Sequence, residues 1–182
     1  PSYEFHSTTI PLPGLSSLKG TKMRSPGDLY GPVLKSLGVV PIEVKSTEQY
    51  EALQRGLINT SIYTFSSWKN FSVDEVLKHT TLGNKVITVT GLALATTPRV
   101  LNSLSPEHRK VMLDVGRKYM TIGQEAVLGE DKQALDDFVK RGLKTYEWSA
   151  EDKKALQTTL EPVVKEWADK ARSKGIDGAR VL

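Results

Sequence analysis

Arg24 is the side chain in this sequence best placed to do chemistry. It sits in the run Leu18 to Asp28, LKGTKMRSPGD, which reads as a short strand delivering one arginine into a Ser-Pro-Gly turn that opens a helix. Arginine presents a planar, permanently charged fork that matches a carboxylate with two parallel hydrogen bonds. The free N–H groups of the helix start, around Gly27 and Asp28, add a second attraction for negative charge. The segment therefore predicts an anion site in which Ser25 and the Gly27 backbone help set specificity; the plain alternative is a surface arginine ahead of a helix.

The elements that must position Arg24 are legible from periodicity. Leu29, Val33, Leu34 and Leu37 recur at helical spacing and stop at Gly38, and Val39 to Val44 is short, β-branched and apolar, the pattern of a buried strand. The unit then repeats. Ser46 and Gln49 have capping-box spacing, Tyr50 and Leu53 share a face, Gly56 ends the helix, and Leu57 to Thr64 reads as a third strand. Strand, helix, strand, helix, strand with short connections gives a three-layer βαβαβ unit of parallel strands, whose ligands bind beyond the carboxyl ends. Arg24 and Ser25 end the first strand of this unit, Ser46 follows the second, and Tyr63 and Thr64 end the third. One mouth thus gathers them. Trp68 and Phe65 follow closely, and with Tyr63 they would suit a ligand with an aromatic or apolar body and one carboxylate, unless they are core residues of a short helix.

Catalytic patterns are absent. The three histidines, His6, His79 and His108, lack metal-ligand spacing, and the chain has no Gly-x-Ser-x-Gly elbow, phosphate-binding glycine loop or His-Glu-x-x-His helix. No metal, cofactor or catalytic residue is expected. Glu4 and His6, two residues apart on a strand-like start, share a face and could line the cleft.

The segments LKGTKMRSPG, STEQYEALQRGLIN, EVLKHTTLGN and LATTPRVLNSLSPEHRKVMLDV occur in an order that resembles the solute-binding proteins of tripartite ATP-independent periplasmic (TRAP) transporters, of the dicarboxylate-binding type. The resemblance covers essentially the whole chain. It implies an α/β, periplasmic-binding-protein-like three-layer lobe with long connecting helices, a periplasmic location, a small organic acid ligand, and hand-over to TRAP membrane permease subunits after hinge closure. It also implies that Arg24 holds the ligand carboxylate. Tyr63 stands where many members carry an ligand-touching asparagine, and Glu4 lies near the place of a second arginine, so the pocket departs from the sugar-acid and dicarboxylate pattern.

By the same resemblance, residues 1–83 form the second ligand-binding lobe, 84–130 a residual part of the first lobe, with a strand around Lys85 to Thr97 and a helix from Ser105, and 131–182 C-terminal helices packing back on the second lobe. The first lobe is largely missing from this expectation, which pictures a truncated chain with no visible signal peptide. Two rivals use the same residues: a ligand-sensing regulatory α/β domain, and a small-molecule enzyme with Glu4 and His6 as its acid-base pair.

Composition is consistent with this. The chain has 182 residues, 38% of them hydrophobic, a formal charge of +4, and no cysteine, which excludes disulfides and thiolate metal sites. Basic residues alternate with acids along the helices, so nucleic-acid binding is not expected. No run reaches the roughly 18 apolar residues of a membrane span, so neither is direct membrane insertion. In the second half, Ser105 with Pro106 starts a helix whose Val111, Val115, Tyr119, Ile122 and Ala126 form a stripe expected in the core. LKTYEW reads as a strand, and Ser149 caps a last helix with Leu156, Leu160, Val163, Trp167 and Ala171 on one face, kinked by Pro162.

Overall fold

The computed structural model describes residues 3–25, 27, 30–83 and 94–177. Most of the expected strand at 85–97, the turn residues Pro26 and Asp28, and the end of the tail at 178–182 lie outside the described residues.

The first half alternates as its periodicity dictates. Strands β1 (Glu4–Ser7) and β2 (Lys22–Ser25) precede helix α1 (Tyr30–Ser36), strand β3 (Val40–Glu43), helix α2 (Gln49–Gln54) and strand β4 (Thr60–Tyr63). Gly38 and Gly56, both at φ +71°, end α1 and α2 in a left-handed conformation that costs a residue without Cβ nothing. Helix α3 (Phe65–Asn70) and strand β5 (His79–Leu82) follow. The second half holds α4 (Pro98–Ser103), the long α5 (Pro106–Lys140), β6 (Lys144–Glu147) and α6 (Ala150–Ser173).

The six strands form one mixed sheet in the order β3-β2-β4-β1-β5-β6. β2 runs parallel to β3 and β4, the expected βαβαβ core, while β1 inserts antiparallel between β4 and β5. That inversion matters for the site: it puts the beginning of β1 beside the carboxyl end of β4, with Glu4 opposite Tyr63.

Side-chain alternation along the strands sorts the core into two layers. Phe5, Met23 and Ile62 point to one face, against α1 and α6, where Trp148, Leu156 and Leu160 join them. The opposite face carries Phe65, Trp68, Ile58, Leu53 and Leu143, closed by Ala134 and Phe138 of α5. Trp148 locks the first layer: its ring stacks on Phe5 at 5.4 Å, and its Nε1 donates to the Leu12 carbonyl at 2.9 Å.

Two expectations need correcting. The stretch Val39 to Val44 is not a buried strand but the sheet edge, with Val40 46% exposed. Pro41 explains why, since a residue without an N–H cannot serve a strand paired on both sides. The stripe on α5 is also not core: Val111, Val115, Tyr119 and Ile122 are all exposed, Ile122 by 61%. At about 1.5 Å per residue a helix of this length reaches about 50 Å. Only its last turns meet α3 and the sheet, where Ala134 and Phe138 are buried. The boundary drawn at residue 130 falls inside this one helix.

The caps follow the sequence. Ser105 and Ser149 accept from the amides of His108 and Asp152 at the starts of α5 and α6, and α6 continues through Pro162. On α6 Leu156, Leu160 and Ala171 are buried, Val163 is half-buried and Trp167 is 37% exposed. Among the described residues no helix is long and apolar enough to cross a membrane, and no cluster of histidine and carboxylate side chains could hold a metal ion.

Candidate functional site

Arg24 ends β2 with its side chain almost wholly buried, 4% exposed. Its Nε donates to the Val44 carbonyl at 2.9 Å, and Nη2 donates to the Ser46 hydroxyl at 2.9 Å. Both partners lie just past β3, which register holds beside β2, Arg24 opposite Ile42. One edge of the fork is thus fixed by the neighbouring strand's exit. The remaining nitrogen, Nη1, is buried with no hydrogen-bond partner among the described residues.

A buried guanidinium ordinarily sits against a carboxylate, because leaving its charge unpaired away from water costs several kcal/mol. Here no ion pair includes Arg24 among the described residues. Burial pulls its proton affinity down, and the nearby phenols of Tyr63 and Tyr3 push it part of the way back up. The Tyr63 ring lies under the cation, 5.3 Å from ring centroid to guanidinium carbon, a cation–π distance.

The turn after Arg24 spends its own polar groups on its shape. Gly27, at φ +126°, takes a conformation open to glycine, and its carbonyl accepts from the Ser25 hydroxyl at 3.0 Å and from the Tyr30 amide at 3.1 Å. Ser46 shows a similar reassignment. The expected capping box does not form: Ser46 receives Arg24, while Gln49 turns inward so that its Oε1 accepts from Ser61 at 2.9 Å.

Other expected site residues are more deeply placed. Thr64 caps α3, accepting from the Ser67 amide, and the same helix start is held by Asp131 of α5, which accepts from the Ser66 amide at 2.9 Å. Trp68 is fully buried and Phe65 nearly so; they pack below Tyr63 and around His6 rather than at an open mouth. Glu4 accepts from the Thr81 hydroxyl at 2.6 Å and the Gly83 amide at 2.9 Å, tying β1 to β5.

His6 has no exposed surface, and both its nitrogens are engaged. Nε2 lies 3.2 Å from the Tyr63 carbonyl, which can only accept, so Nε2 carries the proton and Nδ1 receives the Thr80 hydroxyl at 2.9 Å. Burial presses its pKa to about 3, which keeps the ring neutral. A sealed, doubly bonded, neutral imidazole is a structural group.

Sequence reasoning gathered Arg24, Ser46 and Tyr63 and missed two neighbours. Tyr3 and Tyr30 stack in series with Tyr63, centroids 5.9 Å and 5.8 Å apart. Tyr30 opens α1 directly after the arginine turn, a position that could have drawn attention; Tyr3 reaches the site only through the antiparallel insertion of β1.

A family model described as "Bacterial extracellular solute-binding protein, family 7" matches residues 3–171 of this geometry's sequence. The chain belongs to that family. Among curated relatives of these solute-binding proteins, one from Sulfitobacter sp. (strain NAS-14.1) is 29% identical over 133 residues, 72% of this chain and 40% of the relative. Among solved structures, a TRAP periplasmic solute-binding protein from Desulfovibrio salexigens with bound orotic acid superposes with a TM-score of 0.87 at 18% identity, covering 99% of this chain and 58% of that one. A marine-metagenome TRAP solute-binding protein specific for aromatic acid ligands, in complex with metahydroxyphenylacetate, gives a TM-score of 0.84 at 21% identity, covering 98% of this chain and 57% of that one. The chain therefore has the fold of TRAP solute-binding proteins and spans between two fifths and three fifths of these relatives' lengths. The relatives are solute-binding proteins and not enzymes, which removes the acid-base reading of Glu4 and His6 along with their geometry.

Proposed function

We propose that this chain carries the arginine-bearing half of the cleft of a TRAP solute-binding protein, which captures a small organic carboxylate in the periplasm and passes it to membrane permease subunits. The observation that carries this reading is Arg24 Nη1, a buried cationic donor without a counter-ion among the described residues. Such a site is completed by an anion brought from outside. A carboxylate oxygen on Nη1 would receive a charge-assisted hydrogen bond from a fork already immobilised by Val44 and Ser46, so little ordering remains to be done on binding.

Closure of a second lobe over this mouth would exclude water and strengthen the ion pair by lowering the local dielectric. Orotic acid and metahydroxyphenylacetate, held by the two solved relatives, are both carboxylic acids, which supports the assignment. The test is isothermal calorimetry on the protein expressed from its complete gene, against a panel of small mono- and dicarboxylates, with Arg24→Ala alongside. Binding that disappears in Arg24→Ala is expected; equal affinity in the variant, or no acid bound at all, overturns the proposal.

A further inference from the structure

Resting on Arg24 as the carboxylate receptor, we infer that the ligand is an aromatic monocarboxylate and that Tyr3 and Tyr30, stacked in series with Tyr63, form the wall that selects it.

Charge, hydrogen bonding and shape at this mouth all favour such a ligand. The first is charge. Among the described residues, Arg24 leaves one nitrogen without a partner, and the groups that act on it electrostatically are phenols rather than a second cation. A second carboxylate would be drawn out of water beside aromatic rings, at a cost that no cation among the described residues offsets.

The second is hydrogen bonding. A sugar acid brings several hydroxyls that each need a partner when buried, and a site selects for them by leaving its own polar groups otherwise unpaired. Among the described residues, Ser25 donates to Gly27, Ser46 accepts from Arg24, and Glu4 accepts from Thr81 and Gly83. They build the protein rather than wait for a ligand.

The third is shape. Tyr63, Tyr3 and Tyr30 follow one another at tilted angles of 37° and 41°, each half-buried, beginning directly beneath the guanidinium. Aromatic rings gain from further rings at such separations beyond the area they bury. Tyr3 also stays uncharged, its phenol raised well above the usual range by burial and by its neighbour Tyr30, so it does not repel an incoming anion.

The experiment titrates the protein expressed from its complete gene with benzoate, phenylacetate, cyclohexanecarboxylate, succinate and galacturonate by calorimetry. One of the two aromatic acids is expected to bind at least tenfold tighter than the other three. Tyr3→Ala and Tyr30→Ala are each expected to weaken it about fivefold, the range of one aromatic pair, while Tyr3→Phe retains affinity. Melting curves of each variant separate lost folding from lost binding. Preference for succinate, galacturonate or the saturated ring overturns the aromatic assignment and leaves Arg24 as receptor; unchanged affinity in folded Tyr3→Ala and Tyr30→Ala overturns the wall. If none of the five binds, both readings fall together.

Discussion

The guanidinium of Arg24 rests on the ring of Tyr63, 5.3 Å from carbon to centroid, while Val44 and Ser46 grip its other edge. The arginine is therefore held in place before any ligand arrives, and its two kinds of substitution separate. Arg24→Ala removes the charge-assisted bond and is expected to weaken carboxylate binding by about 3 kcal/mol, roughly 100-fold. Arg24→Lys keeps the charge but cannot reach Val44, Ser46 and a ligand with one planar fork, so most of that loss persists. Calorimetry that finds Lys equivalent to Arg would show that charge alone suffices.

Ser46→Ala tests the grip itself. It leaves Nη2 without its partner, with an expected stability loss of about 1–2 kcal/mol and a weaker ligand affinity. Ser46→Thr, which restores a hydroxyl, is expected to recover both. Urea unfolding and calorimetry on the same samples read the two effects; an Ala variant that matches wild type in both would remove Ser46 from the site.

His6 predicts a pH dependence with a definite sign. Its pKa is about 3 in the folded chain, against about 6.5 when unfolded, so between these values the unfolded state binds a proton that the folded state refuses. This contribution to stability is fully present above about pH 6.5 and falls by about 1.4 kcal/mol per pH unit as pH drops toward 3. His6→Gln lacks the titrating ring, so its unfolding free energy should lose about 2 kcal/mol less than wild type between pH 7 and pH 5. Parallel losses in the two proteins would assign the acid sensitivity elsewhere.

Trp148 is expected to be the costliest single truncation. It stacks on Phe5 and donates to Leu12, so Trp148→Ala opens a cavity and strands a buried carbonyl, for about 3–5 kcal/mol in chemical unfolding. A loss below about 1 kcal/mol would mean that the first core layer does not depend on it.

The exposed stripe on α5 makes a different prediction, about association. Val115 and Ile122 are mostly exposed, so Val115→Lys with Ile122→Lys should change unfolding free energy by no more than about 0.5 kcal/mol per site. The same pair should lower self-association of the 182-residue chain, as read by light scattering. Unfolding of the double variant would place these residues in the core after all.

Local chemistry determined much of this protein from its sequence alone. Apolar spacing with Gly38 and Gly56 marks α1 and α2, Ser105 and Ser149 announce α5 and α6, and the arginine before a Ser-Pro-Gly turn falls where β2 ends. These signals are legible because each acts within a few residues, through caps, φ preferences and side-chain period. Only the tertiary structure decided what those elements face. The same apolar period describes α1, where Leu34 is buried, and the exposed middle of α5, since periodicity reports that a face is apolar but not whether anything lies on it. Ser46 and Gln49 have the spacing of a cap and instead serve Arg24 and Ser61, because long-range partners outbid a local bond. Tyr3 joins the arginine because β1 enters the sheet antiparallel, a pairing between residues nearly sixty positions apart that no local pattern encodes.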